Sequence, residues 1–117
     1  MTSFKFQFTF EERCQEYYRV MEKYPERIPV ICEKNNNNKN SLPEIDKHKF
    51  LLHHDLTVGQ FIYVIKKRMN LNSEEAIFLF VSNTIPSSST LMSVLYKRYR
   101  DPDGFLYIQY TKENVFG

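Results

Sequence analysis

Two helix-opening signatures, Thr9-Phe10-Glu11-Glu12 and Thr57-Val58-Gly59-Gln60, bracket two apolar runs joined by a polar tract, and this order narrows the folds open to the chain. In each signature the threonine hydroxyl can accept from a first-turn N–H, while the Glu or Gln three residues on reaches back to the threonine N–H. Behind the first, Phe10, Cys14, Tyr17, Tyr18 and Met21 recur at helical spacing. Pro25 disfavours the α region in the residue before it, so a helix is expected over residues 10–23. Behind the second, Val58, Phe61, Ile62 and Ile65 form an apolar face. Lys66, Lys67 and Arg68 then suit the negative end of the helix dipole.

Between the helices, Arg27 to Glu33 reads as a strand, with Pro29 at a place that tolerates a missing donor. Lys34 to Glu44, with Asn35-Asn36-Asn37-Asn38, reads as a solvated hairpin loop with nothing to anchor a core. Lys47 to His53 is a second strand, with Phe50 and Leu52 on one face and Leu51 on the other. Ile77 to Val81 is a short apolar run, read as a strand covered on at least part of both faces. Thr90 is expected to cap a short helix through Tyr96. Asp101-Pro102-Asp103-Gly104 has the composition of a tight turn, and Phe105 to Tyr110 is the last strand. The order helix, β, β, α, β, short α, β describes an α+β chain with a β-grasp: a four-stranded mixed sheet with packed helices, preceded by an N-terminal helical extension. In that topology the first and last strands lie parallel at the centre and the second strand is an edge.

Composition removes several functions. The length of 117 residues suits one domain. Its segments are expected to be an extension over 1–24, a grasp core over 27–110 and a tail over 111–117. Only three glycines occur, and they are scattered, so no phosphate-cradling loop is present. Acids number 14 against 16 bases, for a net charge of +2. Lys66-Lys67-Arg68 and Lys97-Arg98-Tyr99-Arg100 therefore read as solvated helix ends, and no nucleic-acid partner is expected. Cys14 and Cys32 read as inert core thiols. His48 and His53 face opposite sides of a strand, so no metal and no cofactor are expected. No apolar run reaches the length of a membrane span, and a cytoplasmic protein is expected. Phe4, Phe6, Phe8 and Phe10 alternate with polar residues, a two-residue period that suits a strand better than a helix. Three fates compete for these rings: packing on the domain, which the hazard of exposed phenylalanine favours, contact with a membrane, or pairing with another protomer.

Four blocks, Tyr24-Pro25-Glu26-Arg27-Ile28-Pro29-Val30-Ile31, Asp46-Lys47-His48-Lys49-Phe50-Leu51, Asp55-Leu56-Thr57-Val58-Gly59-Gln60-Phe61 and Asp101-Pro102-Asp103-Gly104-Phe105-Leu106-Tyr107, resemble the GABARAP and microtubule-associated light-chain family of autophagy modifiers. The resemblance runs from about Phe10 to Gly117. It implies a ubiquitin-like fold and a protein that is a substrate of enzymes rather than an enzyme. It further implies conjugation through a C-terminal glycine to phosphatidylethanolamine, and a place in autophagosome growth and cargo capture. Gly117 would be the conjugated residue, on a tail with Val115 and Phe116 that is expected to be mobile. A glycine lets the backbone enter the narrow channels of an activating enzyme where a Cβ would clash. The implied partners are activating and conjugating enzymes, a processing and deconjugating cysteine protease, receptors carrying an aromatic-x-x-aliphatic peptide, and the phosphatidylethanolamine membrane of the autophagosome.

An exposed second strand invites pairing with an extended peptide. By resemblance, Glu16, Val20, Pro29, Ile31, Lys49, Leu51 and Phe105 line a pocket for the aromatic residue. Phe50, Leu52, Leu56, Phe61 and Val64 line one for the aliphatic residue. Arg27, Lys47 and Arg68 would attract acidic flanks of the peptide, an attraction that salt weakens. Phe78 and Phe80 would either meet the conjugation machinery or simply pack in the core. The rival to this reading is a β-grasp interaction module that is never conjugated. A thiol enzyme is a third class, and it would need a reactive cysteine.

Overall fold

The computed structural model describes residues 3–35, 42–72 and 74–112. Its longest helix, α2, spans Phe10–Lys23 and follows a one-turn helix, α1, at Phe4–Gln7. Both halves of the first capping box form: Thr9 Oγ1 accepts from Glu12 N at 3.1 Å, and Glu12 Oε1 accepts from Thr9 N at 2.8 Å. The second box forms at Thr57 and Gln60 and opens α3, Val58–Arg68. Gly59 marks a close approach. Its N–H donates to Ser88 O at 2.9 Å, and a Cβ there would lie only 3.2 Å from that oxygen. The last helix, α4, spans Met92–Tyr99.

The strands are β1 (Ile28–Lys34), β2 (Lys49–Leu52), β3 (Phe78–Phe80) and β4 (Leu106–Thr111). They form one sheet in the order β2-β1-β4-β3, with β1 parallel to β4 and the two outer pairings antiparallel. This is the β-grasp arrangement, with β2 at one edge. Alternation along the strands sorts side chains between two faces. Ile28, Val30, Cys32, Phe50, Leu52, Leu106, Ile108 and Tyr110 form one core with Phe61 and Ile65 of α3 and Met92 and Leu95 of α4. The opposite parity, Pro29, Ile31 and the adjoining Phe105, is buried on the side of α1 and α2, where Phe4 and Tyr17 set their rings edge-on to Phe105 at 5.5 and 6.1 Å.

Three local expectations are corrected. The alternating phenylalanines form no strand. Ser3 caps α1 by accepting from Phe6 N, and Phe4 and Phe8, four apart, meet on one side with centroids 5.0 Å apart. Phe4 is thereby half-buried, whereas Phe6 is 84% exposed and Phe8 and Phe10 stay on the surface, so only the first ring packs on the domain. The polar tract does anchor a core: Leu42 is buried beside Ile45, and Tyr110 holds the segment by donating to Pro43 O at 2.9 Å and accepting from Ile45 N at 3.1 Å. Thr90 does not cap α4, whose N-cap is Leu91 without a side-chain bond. Its carbonyl instead accepts from Val58 N at 2.9 Å and ties the loop to α3.

Candidate peptide-docking edge

The geometry of the β2 edge follows from its register with β1. Cys32 N donates to His48 O at 2.8 Å, which makes this facing pair a hydrogen-bonded one. Antiparallel ladders alternate. Val30 with Phe50 and Ile28 with Leu52 are therefore bonded pairs, and Pro29 with Leu51 and Ile31 with Lys49 fall between them. Two results follow. Pro29 lacks its N–H at a position where β2 would not have accepted from it. Lys49 and Leu51 turn their N–H and C=O groups away from the sheet. Among the described residues the one bond seen on that rim is from Arg27 Nη1 to Leu51 O, at 3.3 Å.

On the α2 side, Lys49 and Leu51 are half-buried. Glu16 bridges the helix to the edge: it pairs with Lys49 Nζ and also accepts from Arg19 Nε and Nη2 at 2.7 and 2.8 Å. Burial holds the Lys49 pKa below the ordinary lysine value. Val20, Pro29, Ile31 and Phe105 lie buried beneath, so they can only floor a pocket whose walls are Glu16, Lys49 and Leu51. The groove on this side, of about 470 Å³, is lined by Phe4, Phe8, Glu12, Gln15, Glu16, Arg19 and Lys49. Of these, sequence reasoning named Glu16 and Lys49 for the groove. The four-residue spacing of Phe4 and Phe8 was the available signal for the other wall.

On the α3 side, Phe50 and Phe61 are buried and meet edge to face at 5.3 Å, with Leu52 beside them in the core. Leu56 and Val64 are half-buried against this cluster. Lys47 Nζ and the Arg68 guanidinium lie 5.2 and 6.0 Å from the Phe50 ring centre, and Arg68 pairs with Asp46 at 3.0 Å. Lys47 and Arg68 thus both lie against the Phe50 ring, and Arg27 reaches the Leu51 carbonyl. Because Phe50 belongs to the core, cutting it to alanine costs about 3–5 kcal/mol and tests stability before it tests binding.

A polar cluster that the residues alone did not announce secures α1 and α2 to the sheet. Asp103, fully buried, accepts from Arg13 Nε at 2.8 Å, from Tyr107 Oη at 2.5 Å and from Phe105 N at 2.8 Å. Arg13 also donates to Phe8 O at 2.8 Å and Lys5 O at 3.3 Å. Lys5 pairs with Asp101, and Phe4 N donates to Glu33 Oε2 at 2.7 Å. Cys32 is buried, and burial pushes its thiol pKa well up, away from nucleophilic use. Phe80 is buried in the strand and Phe78 half-buried. Val115, Phe116 and Gly117 lie outside the described residues.

A mixed sheet gripping α3, with two helices ahead of it and β2 at an edge, defines a ubiquitin-like protein of the β-grasp class. The family model "Autophagy protein Atg8 ubiquitin like" matches residues 12–117. Autophagy-related protein 8 of Vanderwaltozyma polyspora is 53% identical over 116 residues, covering 99% of this chain and 97% of that protein. Autophagy-related protein 8A of Oryza sativa subsp. japonica is likewise 53% identical, covering 99% and 96%. Two solved structures share the fold. Trypanosoma brucei ATG8 has a TM-score of 0.89 at 43% identity, over 100% of this chain and 99% of that one. Plasmodium falciparum Atg8, in complex with a Plasmodium falciparum Atg3 peptide, has 0.85 at 38% identity, over 97% and 98%. The chain belongs to the Atg8 family of ubiquitin-like autophagy proteins.

Proposed function

We propose that this chain is a lipid-conjugated modifier that captures short peptides along β2, and that it is a substrate of enzymes rather than a catalyst. The observation that carries the peptide half is the outward-turned backbone of Lys49 and Leu51. An extended segment added there gains ladder bonds, while its alternate side chains reach the α2 and α3 sides. A four-residue aromatic-x-x-aliphatic motif fits, because residues three apart in a strand point to opposite faces. The relative whose structure holds an Atg3 peptide supports a peptide partner for this chain as well.

The conjugation half rests on family membership. ATP would convert the Gly117 carboxylate to an adenylate with loss of pyrophosphate, and an enzyme thiol would displace AMP to give a thioester. The amine of phosphatidylethanolamine would then displace the enzyme's thiolate, leaving an amide, with the proton lost by the amine passing to the departing sulfur. Two acyl chains, at about 0.8 kcal/mol per buried CH₂, hold stably what one chain holds only marginally. No described helix is long and apolar enough to cross a membrane, so such an anchor would supply the attachment. The protein would then divide between cytoplasm and autophagosome membrane, and a cysteine protease would process and release it.

Two measurements test the halves. With cognate activating and conjugating enzymes, ATP and phosphatidylethanolamine vesicles, the full chain floats with the lipid and gains the lipid's mass at Gly117, and the chain lacking Gly117 does not. Equal conjugation of both would overturn the assignment and favour a plain interaction module. For the edge, Leu51→Arg lowers the affinity for a Trp-x-x-Leu peptide at least about tenfold in calorimetry while the circular dichroism is retained. Unchanged affinity would refute the site.

A further inference from the structure

The groove on the α2 side extends past the pocket assigned to the aromatic anchor. Glu16 and Lys49 belong to both, and beyond them the depression continues to Phe4 and Phe8 of the α1 segment. It shares no residue with the aliphatic pocket. Glu33, which holds Phe4 N, lies two residues past Ile31, the partner of Lys49, so α1 sits beyond the Lys49 end of β2. A peptide paired parallel to β2, with its aromatic residue over Lys49 and Leu51 and its aliphatic residue on the α3 side, runs its upstream residues toward α1. Strand alternation decides which of them enters the groove. The residue just before the aromatic faces the α3 side, and the second residue before it faces the same side as the aromatic.

The lining decides what that residue is. Glu16 is occupied by Lys49 and Arg19, and Glu12 accepts from the Thr9 N–H. Glu16 is thus answered by two cations and one Glu12 oxygen is engaged by the backbone, and the apolar wall of the groove is the two rings. The α1 backbone that carries those rings is held before any peptide arrives, by Glu33 on Phe4 N, Asp101 on Lys5 and Arg13 on the Phe8 carbonyl, and the two rings meet with centroids 5.0 Å apart. A wall fixed in advance costs little ordering on binding. We infer that Phe4 and Phe8 form a specificity pocket for a bulky apolar side chain two positions before the aromatic anchor, so that the partners of this chain are selected by a three-point apolar pattern rather than by the two-point motif alone.

This inference rests on the peptide-edge reading, and the experiment separates the two. Calorimetry compares three fourteen-residue peptides with one Trp-x-x-Leu core: serine at both upstream positions, leucine at the second before Trp, or leucine at the first before Trp. On the full chain, leucine at the second position tightens binding about tenfold over serine, as expected for an apolar side chain half removed from water. Leucine at the first position changes it less than twofold. In Phe8→Ser the tenfold gain falls to within twofold, and in Phe8→Leu most of it returns, with α1 monitored through its amide spectrum. If no peptide binds, the edge reading itself falls. If all three bind the full chain alike, or the gain survives in Phe8→Ser, the edge stands and the pocket assignment is overturned.

Discussion

Replacing Asp103 with asparagine keeps the size and shape of a buried side chain and removes its capacity to accept at both ends. In the native protein Oδ2 accepts from Arg13 Nε and Tyr107 Oη, and Oδ1 accepts from Phe105 N. An amide must place its NH₂ at one of these positions. At the Oδ2 position it faces the Arg13 N–H, and the tyrosine hydroxyl can rotate away but the guanidinium cannot reverse its polarity. At the Oδ1 position it faces a backbone N–H that cannot turn. Either orientation sets donor against donor and leaves the Arg13 charge unanswered, with that side chain 11% exposed and Asp103 at 0%. Removing one partner of a buried pair costs about 3–5 kcal/mol. The residual acceptor in the amide places the expected loss near about 3 kcal/mol, which at about 4–5 °C per kcal/mol for this size is a drop in Tm of about 12–15 °C. Urea unfolding followed by circular dichroism reads the change, with the m-value unaltered. A cycle with Arg13→Met should show coupling above about 1.5 kcal/mol, since deleting the arginine removes the charge that asparagine cannot satisfy. A cost under about 1 kcal/mol, or additive effects in the cycle, would refute the claim that this cluster pins α1 and α2 to the sheet.

Other consequences of the geometry are open to measurement. Gly104 has φ +102° and an added Cβ would lie 2.4 Å from Tyr17 Cγ, so Gly104→Ala combines backbone strain with overlap and should cost at least about 2 kcal/mol in urea unfolding. A loss below about 0.5 kcal/mol would contradict that packing. Burial pushes the phenols of Tyr96 and Tyr110 up to about 12. They resist ionisation in the folded state only, so unfolding free energy should hold up to about pH 10 and decline between about 10 and 12. A flat profile there would sink the assignment. Burial raises the Asp101 pKa, but the bonds from Lys5 and the Asp103 N–H outweigh it and hold the carboxyl below its usual range. Its contribution is therefore present above about pH 4 and is lost as the pH falls through the lowered value. Lys5→Gln should weaken that acid dependence, as unfolding curves at stepped pH will read.

Helices α2 and α3 were legible because their ends are local. Thr9 with Glu12, and Pro25 beyond, define α2 within one or two turns of chain, and Thr57 with Gln60 open α3 in the same way. The edge position of β2 was legible from element order alone, since a hairpin, a crossover helix and a closing strand leave few arrangements. What failed did so where a residue's partner lies far along the chain. The period of two in Phe4 to Phe10 was a true pattern that local caps and bonds to Glu33, Asp101 and Arg13 overrode in favour of one helical turn. Lys34 to Glu44 reads as a tract with nothing to anchor a core, yet Leu42 is buried there because Tyr110, 68 positions on, reaches across to hold its neighbours Pro43 and Ile45.

The candidate site divides along the same line. Glu16, Lys49 and Leu51 could be named in advance, and the structure brings Glu16 and Lys49 together across the groove. Phe50, Leu52 and Phe61 were named too, but no one-dimensional pattern distinguishes an apolar side chain that floors a pocket from one closed in the core. That depends on what lies above it. Local sequence thus determined α2, α3, the strands and which strand is left at the rim, because capping, proline and alternation act within a few residues, while α1 needed its distant partners. Which backbone groups of that rim turn outward, which rings wall the groove and which acid holds Arg13 were decided only when β1 paired with β2 and α2 settled against β1 and the Asp103–Phe105 segment. Those outcomes depend on register and burial between groups tens of residues apart, and no short stretch of sequence contains both partners.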